Sequence, residues 1–133
     1  MTEQTVWDKL QSYQFDPELS SPDISPTVFR ERGSAAAGAC VSGLTSNSTR
    51  LSTIYQQICV GLIENMECLL PLRQLYTCGV REVLCTGSMF SMHPMLLPAV
   101  KRVYSGLDVR HAGETSAAYG AMLMALNLST SSE

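Results

Sequence analysis

The chain lacks most of the features that announce a binding class. Lys and Arg together number nine against twelve Asp and Glu, a formal net charge of -3, and no basic cluster interrupts its 133 residues. Binding to a phosphate backbone needs concentrated positive charge, so nucleic acid is not an expected partner. Charged residues make up only 16% of the chain and hydrophobic ones 45%, a balance that argues for a folded domain rather than a disordered one. No apolar run is long and uncharged enough to span a bilayer. The segment after Cys59 comes nearest, and Glu64 and Glu67 interrupt it. Met1-Thr2-Glu3-Gln4 has neither a basic start nor an apolar stretch, so no secretory signal is expected. The expected setting is cytoplasmic, with no membrane partner.

Paired cysteines and metal clusters are missing too. The five cysteines at 40, 59, 68, 78 and 85 are odd in number and never spaced as CxxC. They read as reduced, buried, small hydrophobes, and no zinc site is expected. There is no phosphate loop, no GxGxxG, and no Ser/His/Asp or Cys/His set at readable spacing. No Asp stands at a strand end as a base. His93 and His111 lie far apart in sequence, neither is read as having a Cys or Asp partner, and both read as surface or capping residues. The seven methionines are expected to fill core.

What is present is a sequence of helix and strand patterns. Residues 5–13 carry Val6, Trp7, Leu10 and Tyr13 at helical spacing. Residues 15–26 hold three prolines and read as a connector. Residues 23–29 read as a short extended segment that Pro26 keeps off the middle of a sheet. Residues 33–49, rich in Gly, Ala, Ser and Thr, read as a surface loop. From about Thr49, Leu51, Ile54, Tyr55, Ile58, Leu62, Met66, Leu69 and Leu70 mark the core stripe of a long helix, with Ser48 as its N-cap. Pro71 should break that helix, because its ring opposes the carbonyl four residues back. The pattern resumes through Leu72 and Leu75 and stops at Gly79, a suitable C-terminal cap.

Residues 80–86 then read as a strand with Val83, Leu84 and Cys85 buried, ended sharply by Gly87-Ser88. Residues 92–104 read as a helix with Pro94 in its first turn, and residues 107–109 as a very short strand. Residues 114–128 read as a third helix, in which Gly120 suggests close packing. This order implies an α/β fold, a short parallel sheet with covering helices.

The turn Cys85-Thr86-Gly87-Ser88-Met89-Phe90-Ser91-Met92 leads from a strand into a helix. In open parallel sheets, ligands sit beyond the carboxyl ends of the strands, and a glycine lets them approach the backbone. A single glycine fits a nucleotide site and an ordinary strand-to-helix connection alike.

Four segments together resemble a known family. They are Pro26-Thr27-Val28-Phe29-Arg30-Glu31-Arg32, Gly61-Leu62-Ile63-Glu64-Asn65, Gly79-Val80-Arg81-Glu82-Val83-Leu84-Cys85-Thr86-Gly87-Ser88, and Glu114-Thr115-Ser116-Ala117-Ala118-Tyr119-Gly120-Ala121. Over about residues 20–128 the chain resembles the C-terminal part of the FGGY carbohydrate kinases. The resemblance implies part of an actin-like ATPase domain of the ribonuclease H-like type. It implies ATP with Mg²⁺, and a ketose sugar as acceptor in a full-length relative. It would set Thr86, Gly87, Ser88, Ser91 and Met92 against the adenosine of ATP, with Gly120 and Ala121 packing beneath. Residues 1–20 would be an N-terminal helix and linker, 21–128 the kinase-like part, and 129–133 a disordered tail.

The chain also departs from the family. The phosphate loop, the strands that open the C-terminal domain and the Asp base are absent, so the chain alone is expected to be inactive. Arg30 stands where the family has Gly, and Met92-His93 where it often has Asn. A short non-catalytic interaction protein built from the same fold is the other expectation. A partial sheet leaves an unpaired edge, which invites pairing with the rest of a kinase or with a second copy.

Overall fold

The computed structural model describes residues 2–26 and 38–113. Helix α1 (Glu3–Gln11) is capped by Thr2, whose hydroxyl oxygen accepts the Thr5 N–H. It starts two residues before the predicted span. The connector after it is tied down by buried amides. Gln56, only 1% exposed, accepts the Asp16 N–H at 2.8 Å and donates to the Asp16 carbonyl at 2.6 Å. Gln57 Nε2 and Arg102 Nη1 both donate to the Leu19 carbonyl, at 3.1 and 2.7 Å. Two polar side chains on the inner face of a helix are thereby satisfied.

Strand β1 (Asp23–Ser25) pairs antiparallel with β2 (Cys40–Ser42), Ile24 opposite Val41. β2 corrects the expectation of an unbroken loop over 33–49: a β-branched residue between small ones gives β1 a partner. Ile24 is buried, whereas Val41, its partner on the same face of the ribbon, is exposed, so the core covers only the β1 side of that face. Residues 27–37, the Arg30-Glu31-Arg32 cluster among them, lie outside the described residues, as do the predicted helix over 114–128 with Gly120 and Ala121 and the tail from 129.

Helix α2 (Leu51–Leu69) is the central element. Its N-cap is Arg50, without a side-chain capping bond. Ser48 is not the cap: it is buried, and its hydroxyl bonds the Thr45 backbone instead. The predicted core stripe is also corrected. Of that stripe Tyr55 is buried as expected, but Leu51, Ile58, Leu62, Met66, Leu69 and Leu70 are exposed, and Gln56, Cys59, Val60 and Ile63 are buried instead. Apolar residues lie on more than one face of α2, so hydropathy alone leaves its inward face undetermined. The neighbours decide it: β1 and the next long helix pack on the second set.

Pro71 does end α2. Leu70 is its C-cap, and Pro71 is the N-cap of α3 (Leu72–Thr77). At the end of α3, Val80 N–H bonds the Leu75 carbonyl and Gly79 N–H the Tyr76 carbonyl, both at 3.0 Å, with Gly79 at φ +78°. This is a Schellman closure, and it needs a residue at ease with positive φ.

Strand β3 (Glu82–Cys85) follows and pairs in parallel with β4 (Asp108–His111), Val83 opposite Val109. Between them lie α4 (Ser88–Met92) and α5 (Leu96–Val103). The helix predicted over 92–104 is shorter, beginning at Leu96 after Pro94 with Pro98 in its first turn, and the turn before it holds the separate short helix α4. α5 packs on α2, and Met95, Leu96, Ala99 and Val100 join Cys85, Val109 and Tyr104 in one core. Leu84 is not part of it, being 59% exposed. Strand side chains alternate, and with Cys85 and Val83 turned inward Leu84 must face out.

Two other expectations of burial are corrected. Cys59 and Cys85 are buried, but Cys40, Cys68 and Cys78 are exposed. Met95 fills core, whereas Met66, Met89 and Met92 are exposed. The architecture is mixed α/β with two short two-stranded sheets, one antiparallel and one parallel. Among the described residues, no helix is long and apolar enough to cross a membrane.

Candidate functional site

The parallel pair sends both strands toward one end, where the Gly87 turn lies. Cys85 still belongs to the ladder, its carbonyl accepting the Ala112 N–H at 3.0 Å. Gly87 then takes φ +98° and ψ 164°, a conformation essentially confined to glycine. Its N–H bonds the Gly113 carbonyl at 3.3 Å, and a Cβ added there would meet open space. The turn is therefore shaped by backbone demand, and its outer side is unobstructed.

Of the five residues singled out from the sequence, Thr86, Ser88, Ser91 and Met92 are exposed and Gly87 is half-buried. Thr86 lines an open groove of about 420 Å³ with Leu84, Phe90, Leu70 and Met66. The other four follow α4 and do not line it. The groove is largely apolar, with Glu82 at its rim.

A second concavity, of about 280 Å³, lies on the other side of α4 between α1 and α2, and has an apolar lining that includes Trp7, Leu62 and Met89. One polar group enters it. His93 Nδ1 and Tyr55 Oη share a hydrogen bond of 2.9 Å, and the Trp7 ring meets the imidazole edge-on at 5.5 Å between centroids. Burial pushes the Tyr55 hydroxyl up to about 12, helped by neighbouring Cys59. Burial also pushes the Cys59 thiol up to about 11, and the bond from Tyr55 pulls it only partly back. Tyr55 and Cys59 therefore stay protonated near neutrality, and Cys59 offers no thiolate nucleophile. Sequence reasoning missed it. Tyr55 and Cys59 stand four apart on one helix, a usable signal, but His93 arrives from 38 residues away. His93 does cap α4, as a capping reading implies, and it also has the tyrosine partner that sequence proximity hid. His111 ends β4 and lies 6.2 Å from the Phe90 ring.

The thiols should divide accordingly. With intact protein at pH 8, iodoacetamide is expected to label Cys40, Cys68 and Cys78 rapidly, and Cys59 and Cys85 only after denaturation. Intact mass before and after guanidinium reads this directly. The Cys59 pKa is raised in the folded state, so its contribution to stability is complete below about pH 9. It is lost as pH rises through about 11, because the unfolded chain releases that proton first.

No protein-family model matches the chain, and no solved structure matches it. The chain is 29% identical over 124 residues to the sedoheptulokinases of Homo sapiens and Mus musculus. The aligned region is 93% of this chain and 26% of each relative, so the chain spans about a quarter of their length. This similarity supports a kinase-related region. Among the described residues, no group of three or more His, Cys, Asp or Glu side chains is placed to hold a metal ion.

Proposed function

We propose that this chain corresponds to the C-terminal part of an FGGY-type sugar kinase, within an actin-like ATPase domain. In this reading it contributes the adenosine side of an ATP cleft and works in the cytoplasm. The observation that carries the reading is the similarity to two sedoheptulokinases across nearly the whole chain. The turn supports it chemically. Gly87 leaves its outer side bare, and Ser88 and Ser91 bring exposed hydroxyls to the same rim. Thr86 and Met92 would flank the base. Full kinase action on a ketose such as sedoheptulose would also need a phosphate loop, a base and Mg²⁺ ligands, and among the described residues no cluster of acidic, His or Cys side chains is placed to hold a metal ion. Phosphoryl transfer rests on positioning all of these together.

The chain alone is therefore expected to bind ATP weakly and to phosphorylate nothing. Saturation-transfer NMR with ATP should give adenine signals that Gly87→Ala abolishes. A coupled assay with ATP and sedoheptulose should stay at background. Turnover at an ordinary kinase rate, or no ATP contact at millimolar concentration, would sink the proposal. A second reading, a non-catalytic interaction protein on the same fold, is favoured by the exposed apolar stripe of α2.

A further inference from the structure

The β3–β4 ladder uses only every other residue of β3. Asp108 N–H bonds the Arg81 carbonyl and Ala112 N–H the Cys85 carbonyl, with Val83 between them in the same register. In a parallel ladder of this phase, the peptide groups of Glu82, Leu84 and Thr86 point to the opposite edge. No other described strand pairs there. All three residues are exposed. Beside this edge, on the core side of the sheet, runs the apolar groove lined by Val83, Cys85, Met66 and Leu70. An occupant of the edge must therefore be an extended strand with small apolar residues facing the groove and polar ones facing out.

β3 itself has that pattern: Val83 and Cys85 turn inward, and Glu82 and Thr86 lie outward around Leu84. We propose that the free edge of β3 is the interface of a two-fold homodimer. Two copies of β3 pair antiparallel there and merge their sheets into one of four strands, ordered β4-β3-β3-β4. A two-fold axis makes the contact isologous and fixes its register. Centring it on Leu84 uses all three free residues and sets Leu84 against the partner's Leu84, a pair that removes the exposed leucines from water. Glu82 then faces the partner's Thr86, and Val83 faces the partner's Cys85 at the groove. Centring it on Glu82 would set like charges opposite each other, which disfavours that register. Arg110, 3.1 Å from Glu82, holds that carboxylate on the outer face, where it can meet the partner's Thr86 hydroxyl. This pairing goes beyond the kinase reading and shares Thr86 with it, and light scattering without ATP reads the pairing alone.

Light scattering after size exclusion tests it, with the full chain at concentrations up to ~100 μM. The expected result is a species of twice the 14.5 kDa chain mass. Leu84→Pro removes an N–H that bonds no other described strand and should give a monomer with unchanged circular dichroism. Two charge variants read the register. Thr86→Lys, facing the partner's Glu82 twice, should tighten the dimer about two- to thirty-fold, and Thr86→Glu should weaken it as much. A wild-type monomer throughout the range would overturn the proposal. So would a dimer indifferent to both Thr86 substitutions, even if Leu84→Pro failed to fold. A wild-type species that is mixed with a co-purifying heterologous strand, and not self-paired, would overturn it as well.

Discussion

Gly61→Ala is expected to lower stability by about 2 kcal/mol, although helix propensity alone would favour alanine by about 1 kcal/mol. The reason lies in what crosses α2 at that point. A Cβ on Gly61 would collide with the Ile24 carbonyl oxygen and touch Pro26 Cδ at 3.0 Å. The obstacle is backbone, so no rotamer change relieves it, and β1 must lift from the helix. Ile24 is 7% exposed and would lose its seat with it. Thermal unfolding should show a fall of roughly 5–10 °C in midpoint. Gly79→Ala provides the contrast, since no atom lies near its added Cβ and only the +78° backbone angle resists. A Gly61→Ala protein as stable as the parent would mean that β1 does not rest on α2 in solution.

Met95→Ala should cost more, about 2–5 kcal/mol, through lost transfer energy and the cavity left behind. Met95 is 1% exposed, the largest fully buried side chain of the core, and it sits where α5 begins. Its side chain makes no capping bond, so truncation tests packing alone. Urea unfolding should show a lower midpoint with an unchanged slope, whereas Met95→Leu, nearly equal in volume, should cost less than about 1.5 kcal/mol. For a domain whose whole stability is of the order of 5–15 kcal/mol, the alanine variant stands near the edge of folding. A midpoint within error of the parent would contradict the central place given to this residue.

These two positions were unevenly legible. Local punctuation could be read from the residues: Pro71 divides two helices, Gly79 closes the second, and the strand–helix–strand order yields a parallel pair. Each depends on chemistry within a few residues. Facing was not legible. Apolar residues lie on more than one face of α2, so the stripe through Leu51, Leu62 and Met66 competes with the one through Cys59 and Val60, and only β1 and α5 choose between them. In β3, three consecutive apolar residues erase the period of two that would have turned Leu84 outward. Buried Gln56 and Gln57 were invisible for the same reason, since their partners lie some 40 residues earlier. At the candidate site, Gly87 marked the turn, and its φ of +98° explains why glycine stands there. The Tyr55–His93 contact, by contrast, depends on α1, α2 and α4 meeting in space.

The meeting of Trp7 with His93 has an optical consequence. Trp7 is the chain's sole tryptophan, and it is 39% exposed. Its intrinsic emission therefore reports a single joint, the seating of the first helix against the rest. Red-shifted light from this chain would signal that the joint has swung open while the core behind it remains dark and intact.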